Sequence, residues 1–167
     1  MLKRTFFLLI LSLSISSACE RDDEGSSDNL AFTATNLAGD WQRTGEFKGQ
    51  PNDSLGIKEP SEDLFSQFES CRKDDMIRYV RGTQEMGNTY FWGIGKNACH
   101  SQMADSFIEI GNWELQESGV LSHSYNGVNE LFVVIFLTRK RLLIRSELGI
   151  READGTVYQF TDYERIK

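Results

Sequence analysis

The chain has 167 residues, three cysteines, two histidines and 25 acidic against 18 basic side chains, for a net charge of −7. That acid surplus excludes nucleic acid as the natural partner, because such binding is driven by Lys and Arg displacing counterions from phosphates. The length suffices for one domain with a proper core, and not comfortably for two.

Taken in chain order, Met1-Leu2-Lys3-Arg4 precedes an apolar run, Thr5 to Ile15, and then Ser16-Ser17-Ala18-Cys19. Charged, apolar and small residues in that order read as an export signal, and the run falls short of the roughly 20 apolar residues that a transmembrane helix needs. Ser16-Ser17-Ala18-Cys19 resembles the lipobox of bacterial lipoproteins. The resemblance implies that residues 1–18 are removed and that Cys19 becomes the lipidated N-terminus. Several acyl chains on one residue hold a membrane firmly, at about 0.8 kcal/mol per buried CH₂, so Cys19 is an anchor and not a site of chemistry. Losing Lys3 and Arg4 takes the net charge from −7 to −9.

Glu20 at the next position does not suggest the inner-membrane retention that Asp would, so the outer membrane is the expected location. Arg21-Asp22-Asp23-Glu24 resembles the short acidic signal that sends lipoproteins of the Bacteroidota to the cell surface; a charged, solvated linker is the other reading. Residues 20–36 are rich in Ser, Asp, Asn, Thr and Ala with no sustained periodicity and read as a flexible tether. The expected organisation is a signal peptide over 1–18, a lipidated tether over 19–36 and one domain over 37–167.

The domain reads as short strands separated by turn signals. Trp41 to Phe47 is the first, followed by an irregular connection from Lys48 to Pro60. Glu62 to Ser70 is a candidate short helix with Leu64, Phe65 and Phe68 on one side. Further strands are expected at Met76 to Arg81, Thr89 to Ile94, Phe107 to Leu115, Val120 to Tyr125, Leu131 to Thr138, Arg141 to Leu148 and Val157 to Ile166. Asn126-Gly127 and Asp154-Gly155 supply the positive φ angles of tight turns, so consecutive strands are expected to be antiparallel neighbours. Gly82 with Gly87, and Arg139-Lys140, mark two more reversals.

In the longest strand, Ile108 and Ile110 share one face while Trp113 and Leu115 share the other, which predicts a bulge near Gly111-Asn112. Eight sequential strands hide both edges by closing into an all-β, antiparallel, up-and-down barrel. Such a barrel can be filled by its own side chains or hold one small ligand.

Leu37-Ala38-Gly39-Asp40-Trp41 opens the first strand with Gly-x-Trp, and in this respect the chain resembles the lipocalin-like lipoproteins of the Bacteroidota. Cys71-Arg72-Lys73-Asp74-Asp75, Gly111-Asn112-Trp113-Glu114-Leu115 and Phe136-Leu137-Thr138 with Leu142-Leu143-Ile144 extend the similarity over residues 37–167. The resemblance implies a barrel floor built on Gly39 and Trp41, with Arg165 of the last strand packed over the Trp ring by a cation to π contact. A shared fold does not by itself transmit a ligand.

Other motifs carry little chemistry. His100 and His123 have no partner at metal spacing and read as surface or satisfied structural histidines. Gly93-Ile94-Gly95-Lys96 lacks the spacing of a phosphate loop and reads as a strand end and turn. Asp74-Asp75, neighbours that point to opposite faces, reads as a solvated strand start rather than a carboxylate pair. Arg139-Lys140-Arg141 reads as a charged hairpin tip, with contact to anionic headgroups or polysaccharide as the sharper alternative. No nucleophile with a base announces itself, so a non-enzymatic protein without cofactor or metal is expected.

Export places the domain in an oxidising compartment, and once Cys19 is acylated the remaining pair, Cys71 and Cys99, has one possible disulfide pairing. The strands between them form a hairpin that brings both to one end of the barrel. The expected function is binding of a small hydrophobic ligand, with Tyr79, Tyr90, Phe91, Trp92 and Trp113 as candidate cavity lining. The same residues could instead fill the barrel, making it a solid envelope-structural or protein-interaction module. Protein partners and oligomeric state stay open at this point.

Overall fold

A computed structural model describes residues 29–51, 58–83, 85–99, 106–152 and 155–166. The expected export signal, Cys19, the acidic run after it and His100 lie outside the described residues. Regular structure begins with α1 (Ala34–Leu37), followed by β1 (Gly39–Gln50), β2 (Lys58–Asp63), β3 (Met76–Val80), β4 (Thr89–Ile94) and β5 (Ser106–Leu115). Then come β6 (Val120–Tyr125), β7 (Val128–Leu137), β8 (Arg141–Ser146), β9 (Ile150–Glu152) and β10 (Gly155–Arg165). No helix among the described residues is long and apolar enough to cross a membrane.

The strands form one antiparallel sheet in the order β2-β1-β3-β4-β5-β6-β7-β8-β10-β9, and an additional β1–β10 pairing closes it into a ring of eight strands. Closure is extensive: β1 pairs β10 from Trp41↔Arg165 to Gly49↔Tyr158. The two remaining strands are short additions, β2 on the far half of β1 and β9 on β10. Closing the ring removes the free edges that an open eight-stranded sheet would present.

Most expected strands fall within a few residues of their observed bounds, and those at Thr89–Ile94 and Val120–Tyr125 match them. The turn chemistry is also visible: Asn126 has φ 47° and Gly127 φ 79° in the β6–β7 reversal. A register shift between Tyr90 and Phe91 skips Ile110 on β5, so the bulge sits one residue before Gly111. Beyond it, β5 pairs β6 only through Asn112–Leu115, so its first half pairs β4 alone.

The expected helix over Glu62–Ser70 does not form. Glu62 and Asp63 belong to β2, opposite Lys48 and Phe47, and the Leu64 N–H donates to the Glu46 carbonyl at 2.9 Å. Two 3₁₀ turns, Phe65–Gln67 and Ser70–Arg72, follow. Pairing with β1 thus overrides the local apolar spacing.

The packed part of the chain also extends upstream of Leu37. The Thr33 side chain caps α1 by accepting from the Asn36 N–H at 3.2 Å, Leu30 donates its N–H to the Leu137 carbonyl at 2.8 Å, and Leu30, Phe32 and Ala34 pack on the core.

This segment lies with the end of the ring that side chains fill. Leu37, Trp41, Leu121, Leu137 and Leu142 have no exposed surface, and they cluster with Tyr79, Trp113 and Val134. The Trp41 indole N–H donates to the Leu37 carbonyl at 2.8 Å. The Arg165 guanidinium carbon lies 4.1 Å from the Trp41 ring centroid, and its nitrogens donate to the carbonyls of Ala38 and Asn36 at 2.8 and 2.6 Å. Gly39, at φ 135°, is needed twice over: the angle disfavours any side chain, and a Cβ would strike the Arg165 guanidinium.

Candidate binding cavity

Above the filled layer the ring walls a half-open cavity of about 300 Å³. Strand alternation decides which residues reach it. On β1, Arg43 follows Trp41 on the inner face, and the register shift between Arg43 and Gly45 turns Glu46 inward as well. β3 and β4 contribute Ile77, Tyr90 and Trp92; β5 contributes the bulged Ile110; β6 and β7 contribute His123, Tyr125, Glu130 and Phe132; β8 and β10 add Ile144, Thr161 and Tyr163.

The wall is largely aromatic. His123 stacks on Tyr90, with centroids 4.4 Å apart and planes at 20°, and packs near Phe132 at 5.0 Å. Its Nε2 is hydrogen-bonded with the Tyr79 hydroxyl at 3.0 Å. Burial lowers the His123 pKa to about 4, so the imidazole is neutral at physiological pH. Burial also pushes Tyr90 up to about 12, with the Glu130 carboxylate adding to it, and drives Tyr79 well above the usual phenol value. Tyr163 rises to about 12 by burial, against the pull of Arg43. The phenols of the wall therefore remain protonated.

The polar end of the cavity centres on Arg43, whose side chain is 7% exposed and pairs with Glu46 at 3.1 Å. The guanidinium carbon sits 4.9 Å from the Trp92 centroid and 5.2 Å from that of Phe68. Its Nε has no hydrogen-bond partner.

On the other side of Trp92 is a second space of about 230 Å³, bounded by Cys71, Arg72, Asp75, Ile94, Ala98 and Cys99. Cys71 and Cys99 form a disulfide with their Cα atoms 5.0 Å apart. The Glu69 carboxylate lies close to both sulfurs, but sulfurs bonded to each other are not thiolate ligands for a metal.

The expected lining is sorted by the structure. Tyr90 and Trp92 face the cavity. Tyr79 and Trp113 belong to the packed layer, ring to ring at 5.3 Å, and the Trp113 indole is held by the carbonyls of Val80 and Thr89. Phe91 does not line the cavity: as the residue between Tyr90 and Trp92 on a regular strand, it points to the opposite face.

Asp75 also departs from expectation, being 6% exposed rather than solvated, with its carboxyl pKa raised by burial against the pull of Arg43 and Arg72. Its carbonyl accepts the Arg43 N–H at 3.0 Å where β1 leaves β3, which draws the residue inward.

Arg43, Glu46 and Tyr163 are residues that sequence reasoning passed over, while His123, expected as a surface or satisfied structural histidine, is buried and satisfied by Tyr79 and also borders the cavity. The available signal was phase: Arg43 is two positions from Trp41, and His123 lies between Leu121 and Tyr125 on the inward face. A comparison with protein-family models and with curated proteins found no match to the chain.

Proposed function

We propose that this chain is a lipid-anchored protein of the bacterial outer membrane, exposed at the cell surface, whose lipocalin-like barrel binds one small, mostly apolar ligand. The observation that supports the reading is the cavity of about 300 Å³ walled by Ile77, Tyr90, Trp92, Phe132, Ile144 and Tyr163. Its volume lies at the small end of the roughly 300–1,000 Å³ range of ligand pockets, and its composition, apolar with a few convergent polar groups, suits recognition of a compact molecule. The packed layer around Trp41 and Arg165 closes the opposite end.

Native mass spectrometry of the purified full chain carrying Cys19→Ser, with organic extraction of what co-purifies, tests the reading. The substitution keeps acyl chains out of the measurement. A stoichiometric apolar compound supports binding. A clean apoprotein whose fluorescence is indifferent to lipids and hydrophobic dyes would instead favour a non-enzymatic envelope module that acts through its outer surface.

A further inference from the structure

The charge inventory of the cavity narrows its ligand, on the strength of the binding reading above. Among the described residues, Arg43 is the one permanent cation in the lining, against two carboxylates, Glu46 and Glu130. The charge of Arg43 is already paired: it meets Glu46 at 3.1 Å, with both side chains largely buried, the rings of Trp92 and Phe68 lie within 5.2 Å of it, and what it still offers a ligand is the unpartnered Nε N–H rather than an unbalanced charge. Glu130 sits opposite His123 in the β6–β7 register and accepts from the Tyr125 hydroxyl at 3.1 Å.

A ligand carboxylate entering this space would lose its hydration without gaining a free cation, and it would lie beside Glu46. A buried charge without a partner is strongly disfavoured. A neutral oxygen meets no such penalty, and the Tyr90 and Tyr163 hydroxyls stand in the wall as hydrogen-bonding groups. The volume matches about ten waters at roughly 30 Å³ each, hence a ligand on the order of ten to fifteen non-hydrogen atoms.

We propose that the cavity selects uncharged ligands, compact apolar skeletons carrying a hydroxyl or carbonyl oxygen, and rejects the carboxylates of the same skeletons. The Arg43–Glu46 pair is the selecting element, because it spends the cavity's cation internally.

The test is isothermal titration of the Cys19→Ser full chain, at neutral pH, with matched alcohol and carboxylate pairs on three skeletons: cinnamyl alcohol and cinnamate, naphthylmethanol and naphthoate, decanol and decanoate. The expected result is that the alcohol binds about ten-fold or more tightly than its carboxylate on every skeleton that binds. Glu46→Gln, which frees Arg43, should narrow or reverse the preference. Equal or tighter binding of the carboxylates to the chain with Glu46 intact overturns the charge selection and leaves the binding reading standing. Failure of all six compounds to bind overturns the binding reading itself, and the inference falls with it. The measurements with Glu46 intact decide both points even if Glu46→Gln fails to fold.

Discussion

His123 should make the protein acid-labile in a definable window. Its imidazole is 5% exposed, is hydrogen-bonded with Tyr79, and faces Tyr79, Tyr90 and the cross-strand Glu130. Burial holds its pKa at about 4 against an ordinary 6.5. Between those values the unfolded chain binds a proton that the folded chain does not, so stability rises with pH and falls on acidification. The linkage relation gives a loss of about 1 kcal/mol by about pH 5.5 and about 2 kcal/mol by about pH 4.5, relative to neutral pH.

Asp75 acts in the opposite sense. Its raised pKa means that the folded state takes the proton first, which adds stability at low pH that is lost as pH rises. That contribution is common to the native protein and a His123 variant and cancels between them. The assay is urea unfolding followed by tryptophan fluorescence, for the native protein and His123→Gln. The variant should begin about 1 kcal/mol less stable at neutral pH for want of the Tyr79 hydrogen bond. The two should become nearly equal near about pH 5.5, and the variant should be the more stable near about pH 4.5. Parallel curves would refute the buried, neutral imidazole.

Arg165→Lys should cost about 2 kcal/mol, because a single ammonium cannot reproduce the two carbonyl contacts and the Trp41 stack together; thermal unfolding of the variant checks it. Replacing Cys71 and Cys99 with Ser should lower stability by about 3.6 kcal/mol, from the loop-closure entropy of their 28-residue separation; denaturant unfolding of the oxidised protein and the double variant reads this directly. Cys19→Ser should abolish labelling by a palmitate analogue and release the protein from membranes, and a variant that stays labelled would contradict the lipobox reading. Replacing Asp22, Asp23 and Glu24 with Ala should leave labelling intact but reduce digestion by protease applied to whole cells, whereas equal digestion would leave the acidic run as plain linker.

What was legible in the residues is what short-range physics dictates. Alternation along a strand and the positive φ of Asn126-Gly127 are local, so the strands at Thr89–Ile94 and Val120–Tyr125 could be placed without knowing their neighbours. The phase flip between Ile110 and Trp113 announced a bulge for the same reason, and the cysteine count alone left one possible pair in the domain. Local spacing misled at Glu62–Ser70, where Glu62 and Asp63 pair with β1 and two 3₁₀ turns replace the expected helix.

The cavity could not be read in advance, because an empty volume is the difference between a ring's interior and the side chains that several distant strands send into it. Which aromatic rings fill the ring and which border a space depends on what the other strands place beside them: Tyr79 and Trp113 pack ring to ring within the core, whereas Tyr90 and Trp92 border the cavity. Arg43 and Glu46 became a buried pair through the β1 irregularity, and His123 became a cavity residue by its inward phase on β6, stacked on Tyr90 of β4. The residues by themselves determined an all-β chain with its strands, turns and one cysteine pair. Closure of β1 on β10, and with it the buried ion pair and the space beside it, is a long-range consequence of register that only the tertiary structure decides.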